Sequence, residues 1–204
     1  MDGIDFPPDR IVLVDFDGTI ADFDGAVREE AARIGIYPTN NGQPSFYAAE
    51  DYAASDRAAV WAIINKPGFT RNLAPLPGLV PGWMSIIKAG FHPVIASRLR
   101  PPEYSPTDEA EKLEWLEEHL APYVGSWVID EAVFTPDKDL LLAAALVDDK
   151  PPRMMKRRGA WTQVVFTQPC NAWDNPSDTL RITGWEDPAL QPTLHEAQKR
   201  FQGF

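Results

Sequence analysis

The sequence predicts an α/β fold, a doubly wound, Rossmann-like parallel sheet with a small inserted helical cap. Three observations lead there. Strand and helix signals alternate along the chain, the pattern of a parallel sheet covered by helices on both faces. The strand signals are short, continuous aliphatic runs, as strands buried on both faces are. The stretch 22–75, which carries only helical signal, is far longer than a crossover between the first two strands needs.

The elements follow in order. Ile11 to Val14 is an aliphatic strand that ends abruptly at Asp15 and Asp17. Residues 26–34 have helical composition, and 37–44 is polar and turn-rich. The alanine-rich stretch 48–64 predicts one or two helices, closed by the Lys66-Pro67-Gly68 breaker. A stiff proline-rich connection, 73–78, precedes a helix over 80–89 that Gly90 stops. A second strand over 92–96 ends at Ser97. Residues 107–120 form a helix with Thr107 at its N-cap and acids in its first turn. A third strand lies within 128–134, a short helix over 139–144, a fourth strand over 145–147 and a fifth over 163–166. The domain division is a core of residues 1–21 and 76–204, with 22–75 as a cap beside the active-site edge. The plainer alternative is that these helices simply cover the sheet.

Composition narrows the function classes. With 204 residues, 44% of them hydrophobic, the chain can bury one good core and a small second lobe. It has no run of 18 apolar residues, so no membrane helix is expected. The segment Met1 to Phe6 lacks the basic and apolar regions of a signal peptide. The single cysteine, Cys170, cannot form an internal disulfide, which fits a reducing, cytoplasmic setting. A formal charge of −11 argues against polymeric nucleic acid as a partner, because phosphate neutralisation needs a basic face. A small phosphate ester in a locally positive pocket remains compatible. The 20 prolines are scattered as turn residues rather than gathered in a linker.

Four polar signals each follow a strand: Asp15 and Asp17; Ser97 with Arg98 and Arg100; Lys138; and the pair Asp148 and Asp149. In a doubly wound sheet, ligands bind outside the carboxyl ends of the strands, where these four would converge. Singly, each has an ordinary explanation as a turn, cap or solvated loop residue. Asp15 and Asp17 alternate onto one side of a strand end, where two carboxylates repel unless a cation, a shared proton or a ligand offsets the repulsion. One cysteine and three histidines leave oxygen as the dominant ligand type, which suits Mg²⁺ better than zinc.

In order and residue type these signals resemble the motifs of the haloacid dehalogenase (HAD) superfamily, an Asp-x-Asp-x-Thr run, a Ser or Thr, a Lys and a terminal acidic pair. The second aspartate points to phosphoryl transfer rather than dehalogenation. Within the superfamily the chain resembles the 5′(3′)-deoxyribonucleotidases. The likeness is carried by 15–23, 73–78, 114–117, 133–138, 146–150, 161–167 and 184–187, and extends over nearly the whole chain. Two departures stand out: Arg98-Leu99-Arg100 replaces a Ser-Pro type sequence, and Cys170-Asn171 replaces a His-Asn pair.

The resemblance implies a Mg²⁺-dependent phosphatase acting on a small-molecule nucleoside monophosphate, with a homodimer as the family's tendency. Asp15 would be the nucleophile and Asp17 the proton shuttle. Ser97 and Lys138 would hold the phosphoryl oxygens. The metal ligands would be the Asp15 carboxylate, the Asp17 backbone carbonyl and Asp149, with Asp148 in support. Thr19 would orient the loop, Phe23 would stack on the nucleobase, and Arg98 and Arg100 would contact phosphate or base. A sugar phosphate is the alternative substrate, and a non-catalytic phosphate-binding domain the alternative outside enzymes. Cys170 has no evident partner for thiol catalysis.

Overall fold

The fold grows from its first strand. A computed structural model describes residues 6–40, 42–155, 157–174 and 176–202. The extreme ends of the expected core, the first residues of the Met1 to Phe6 segment among them, lie outside that set. β1 (Ile11–Val14) pairs in parallel with β2 (His92–Ser97) on one side and β4 (Ala145–Asp148) on the other. β3 (Val133–Phe134), β5 (Thr162–Phe166) and β6 (Leu180–Ile182) extend the sheet, whose order is β3-β2-β1-β4-β5-β6. The chain therefore builds outward from β1 one way and then returns to build the other. The order reverses at β1 and β4, which opens a crevice at their carboxyl ends. β2 and β4 are buried along their whole length and β1 at Val12, Leu13 and Val14, which explains their unbroken apolar sequences.

α1 (Phe23–Arg33) begins where Asp22 accepts the backbone N–H of Gly25 at 3.0 Å, three residues before the expected start. The stretch 48–64 resolves into a 3₁₀ turn (Ala48–Asp51) and α2 (Arg57–Ile64). Between Ala21 and Leu76 the chain leaves and re-enters the sheet layer through one narrow neck. There the N–H of Asp22 bonds the Ala74 carbonyl at 2.8 Å and that of Leu76 bonds Ile20 at 2.8 Å. Val27, Ala31, Val60 and Ile64 share one continuous apolar cluster with the sheet and with Trp83 and Trp185.

α3 (Leu79–Lys88) buries Leu79, Gly82, Trp83 and Ile86, an i, i+3, i+4, i+7 stripe. α5 (Ala121–Val124) and α6 (Trp127–Asp130) are single turns. The helix expected over 139–144 is absent. Lys138–Leu140 makes one 3₁₀ turn, Leu140 and Leu142 are exposed, and the N–H of Ala144 already bonds Ile11 in the sheet. Ala143 and Ala144 are fully buried, and the chain joins the sheet there instead of closing a helix. β6 and α7 (Leu190–Gln202) were not expected. β6 has three residues, and Pro192 reads as a breaker, yet it falls in the first turn of α7, where no intrahelical hydrogen bond is lost. No helix among the described residues is long and apolar enough to cross a membrane.

α4 (Asp108–His119) is unusual because its buried stripe is charged. Asp108, Glu111 and Lys112 share it with Trp115 and Leu116. Asp108 receives the Arg100 backbone N–H at 2.9 Å and Arg100 Nε at 3.0 Å, while Thr70 donates its hydroxyl to Asp108 at 2.9 Å. Arg100 also bonds the Ile64 carbonyl and the Thr70 hydroxyl. Glu111 accepts the backbone N–H of Gly68 at 2.7 Å and of Thr70 at 3.0 Å, and Trp115 Nε1 donates to the Leu73 carbonyl at 2.7 Å. One helix thus grips residues 68–73 directly, and Arg100, held by Asp108, extends the grip to Ile64. Burial pushes the Asp108 carboxyl up, but the Lys112 charge and the Arg100 hydrogen bonds outweigh it and hold it below its ordinary value.

Arg100→Met leaves a carboxylate that is 1% exposed without its guanidinium. The expected loss is about 3 kcal/mol of unfolding free energy at neutral pH, read by chemical denaturation. Because the folded-state pKa of Asp108 lies below its unfolded value of 3.8, this contribution exists above that value and fades as pH falls through the folded-state pKa. The gap between variant and wild type should therefore narrow in acid; a gap that widens would refute the ion pair as its cause.

Candidate active site

The predicted signals do meet. Asp15 follows β1 directly, its backbone N–H bonded to the Val147 carbonyl at 2.9 Å, so the ends of β1 and β4 are level. Gly18 has φ +73°, and a Cβ there would lie 2.4 Å from Asp149 Oδ2. Only glycine lets the first loop turn this close to the acidic pair. Thr19 is fully buried and its Oγ1 accepts the backbone N–H of Asp149 at 3.2 Å. Gln168 Nε2 donates to the Gly18 carbonyl at 2.7 Å, and Asn171 Nδ2 donates to the Asp149 carbonyl at 2.6 Å. The loops after β1, β4 and β5 are therefore one hydrogen-bonded unit, with Asn171 its buried centre.

Carboxylate oxygens of Asp15, Asp148 and Asp149 all lie within 4.8 Å of one another. Lys138 enters from the loop after β3, its Nζ 2.6 Å from Asp15 Oδ1 and 2.9 Å from Asp148 Oδ2. Burial alone would lower the Lys138 pKa, but the Asp148 and Asp15 charges raise it above its ordinary value. Burial pushes Asp149 far up, reinforced by the charges of Asp148 and Asp15. Asp148 is raised by burial, against the pull of Lys138. Three acids with one lysine leave an oxygen-rich site that is short of positive charge, and such a donor set fits a hard divalent cation.

Asp17 faces elsewhere. Its Oδ2 lies 2.8 Å from Lys112 Nζ, and its Oδ1 is buried with no hydrogen-bond partner. Burial raises its pKa, partly countered by Lys112 and reinforced by Asp15. Ser97 ends β2 and is 1% exposed, with its Oγ accepting from Lys112 at 2.9 Å. Sequence reasoning missed Lys112 altogether. The available signal was its position on the same helical stripe as Trp115 and Leu116, where a solvated lysine would not sit.

A cleft of about 870 Å³ opens over these groups, its floor Asp15, Asp17 and Asp149. Phe23, Phe46, Tyr47 and Trp61 line the side formed by the stretch 22–75, and Arg98 and Lys138 the other. Phe23 packs edge to face on Phe69, with ring centroids 5.4 Å apart. The two predicted arginines part company. Arg98 is exposed beside the cleft, whereas the Arg100 guanidinium is committed to Asp108, Thr70 and Ile64. Arg100 also borders the cleft, while its guanidinium pins α4 to the segment opposite. Burial and the Asp149 and Asp24 charges push the Cys170 thiol up to about 12, so it stays protonated at neutral pH.

The sequence model of the family described as 5′ nucleotidase, deoxy (Pyrimidine), cytosolic type C protein matches residues 9–192. A putative 5′(3′)-deoxyribonucleotidase of Bordetella pertussis is 30% identical over 180 residues, covering 87% of this chain and 94% of that protein. The human cytosolic-type 5′(3′)-deoxyribonucleotidase is 28% identical over 188 residues, covering 86% and 89%. Among solved structures, a HAD family hydrolase from Deinococcus radiodurans R1 superposes with a TM-score of 0.52 at 13% identity, covering 93% of this chain and 96% of that one. That likeness supports the fold. With the family match spanning almost all the described elements, the chain belongs to that cytosolic-type 5′-deoxynucleotidase family and is a phosphoric monoester hydrolase.

Proposed function

We propose that the protein is a Mg²⁺-dependent 5′(3′)-deoxyribonucleotidase that works through an aspartyl-phosphate on Asp15. The observation that carries this reading is the meeting of Asp15, Asp17, Ser97, Lys138 and the Asp148–Asp149 pair at one cleft. The names of the relatives support the nucleotide substrate.

Mg²⁺ would be held by the Asp15 carboxylate, the Asp17 backbone carbonyl and Asp149, with Asp148 in support. When bound it supplies the positive charge that lets a carboxylate approach a dianionic phosphate ester. Asp15 attacks phosphorus; the new O–P bond forms as the ester P–O bond breaks. Asp17 gives its proton to the departing nucleoside oxygen. In the second step Asp17 takes a proton from water as the water oxygen bonds to phosphorus and the Asp15 carboxylate leaves. The Ser97 hydroxyl and the Lys138 ammonium hold the transferring oxygens, each contributing about 2.7–4 kcal/mol if comparable to an oxyanion-hole donor.

Residues 22–75 act as the cap and 1–21 with 76–204 as the core. The neck at Ala21 and Pro75 lets the two approach across the cleft. The exposed rings of Tyr47 and Trp61, with Phe23 deeper, offer stacking surface for a base, and the cleft lies within the roughly 300–1,000 Å³ of small-molecule sites. Arg98 is placed to meet phosphate or base. The single buried Cys170 fits a cytoplasmic setting.

A phosphate-release panel tests the reading: nucleoside 5′- and 3′-monophosphates and common sugar phosphates, each with and without Mg²⁺. Deoxyribonucleotides should be preferred by at least about tenfold, release should require Mg²⁺, and Asp15→Asn should lose at least about 10³-fold in kcat. Equal turnover of sugar phosphates would sink the substrate assignment, and activity surviving in Asp15→Asn would sink the nucleophile.

A further inference from the structure

The two-step reaction leaves Lys112 without a role, yet this side chain reaches both its acid and its hydroxyl. Lys112 has no exposed surface. Its Nζ donates to Asp17 Oδ2 at 2.8 Å, to Ser97 Oγ at 2.9 Å and to the Arg98 carbonyl at 3.2 Å. All three ammonium protons are spent, and the Phe16 ring, 4.8 Å from Nζ, faces the same charge. Burying an ion pair costs more than packing apolar groups of similar volume, so stability alone does not explain a lysine here.

The contacts settle the orientation of two groups at once. With the ammonium on Oδ2, the two oxygens of Asp17 are not equivalent. Oδ1 is buried without a hydrogen-bond partner, so the Lys112 contact at Oδ2 is what fixes the plane of the carboxylate beside the cleft. Ser97 Oγ already accepts from Lys112, so its own hydrogen is left to point at an acceptor in the cleft. The perch is rigid, because Asp108 and Glu111 on the same helix hold the segment 64–73 from the other side.

We infer that Lys112 is a positioning residue that fixes the Asp17 carboxylate for both proton transfers and aims the Ser97 hydroxyl at the phosphoryl group. This rests on Asp17 being the proton shuttle, and the test separates the two ideas. 4-Nitrophenyl phosphate has a leaving group that departs without a proton, so with it the first step needs no acid while the second still needs a base. Rapid mixing of Lys112→Met with this ester and Mg²⁺ should give a burst of about one equivalent of 4-nitrophenolate and then slow turnover. With thymidine 5′-monophosphate the same variant should show no burst and a kcat lowered by about 10²-fold, with KM little changed. Asp17→Asn, run in parallel, should behave alike. If Asp17→Asn gives no burst, the shuttle reading falls on its own account. If it does and Lys112→Met instead loses both substrates in parallel without a burst, or keeps kcat within about threefold of wild type, the positioning role is overturned. Lys112→Gln, which keeps a donor and removes the charge, carries the same prediction should the apolar variant fail to fold.

Discussion

The constraint on which the structure depends is the crowding of four carboxylates, two buried and two half-buried, at the carboxyl ends of β1 and β4, with two lysines paired to them among the described residues. Asp15, Asp148 and Asp149 share Lys138, while Asp17 is held by Lys112. Burial and mutual repulsion push Asp17, Asp148 and Asp149 upward from their ordinary values, so the folded chain stores unfavourable electrostatic energy at this point. Much else serves to keep it there. Glycine at position 18 allows the loops to touch, Thr19 and Asn171 tie them by buried hydrogen bonds, and the fully buried β2 and β4 leave the strand ends no freedom to splay.

The two lysines divide the site. Lys138 lies between Asp15 and Asp148, and Lys112 lies between Asp17 and Ser97. They arrive by different routes, one on the loop after β3 and one on a helix face. This separation lets adjacent acids two residues apart, Asp15 and Asp17, sit in different electrostatic surroundings. Divergent environments for paired carboxylates are the usual way one site supports both nucleophile and acid. The same helix that carries Lys112 also fastens the segment returning from residues 22–75, so the acid and the side of the cleft opposite share a single support.

Strand-end chemistry was legible in the sequence because a buried aliphatic run followed by an acid, a serine or an acidic pair has few other meanings once several recur in order. Asp15, Asp17, Ser97, Lys138, Asp148 and Asp149 were all found this way, and the structure gathers them. Position on a helix face was less legible. Lys112 and Glu111 sit among acids in a stretch that reads as a solvated surface, and only the register with Trp115 and Leu116 betrays their burial. Arg100 was legible only in part: its place beside the cleft follows from its nearness to Ser97, whereas its bonds to Asp108, eight residues on, depend on how α4 packs. The closing elements escaped because β6 is three residues long and a proline opens α7.

Thermal unfolding of wild type and Asp149→Asn with and without Mg²⁺ tests most directly whether burial and repulsion within the acid cluster cost the fold stability. Asp149 has a folded-state pKa well above its unfolded value of 3.8, so its ionisation costs stability as pH rises above that value. At pH 7.5 the metal-free variant should melt above metal-free wild type. Mg²⁺ at about a hundred times its dissociation constant should raise wild type by several degrees, in keeping with about 2.7 kcal/mol of linkage, and leave the variant unmoved. A metal-free variant that melts lower, or an equal Mg²⁺ shift in both proteins, would contradict it.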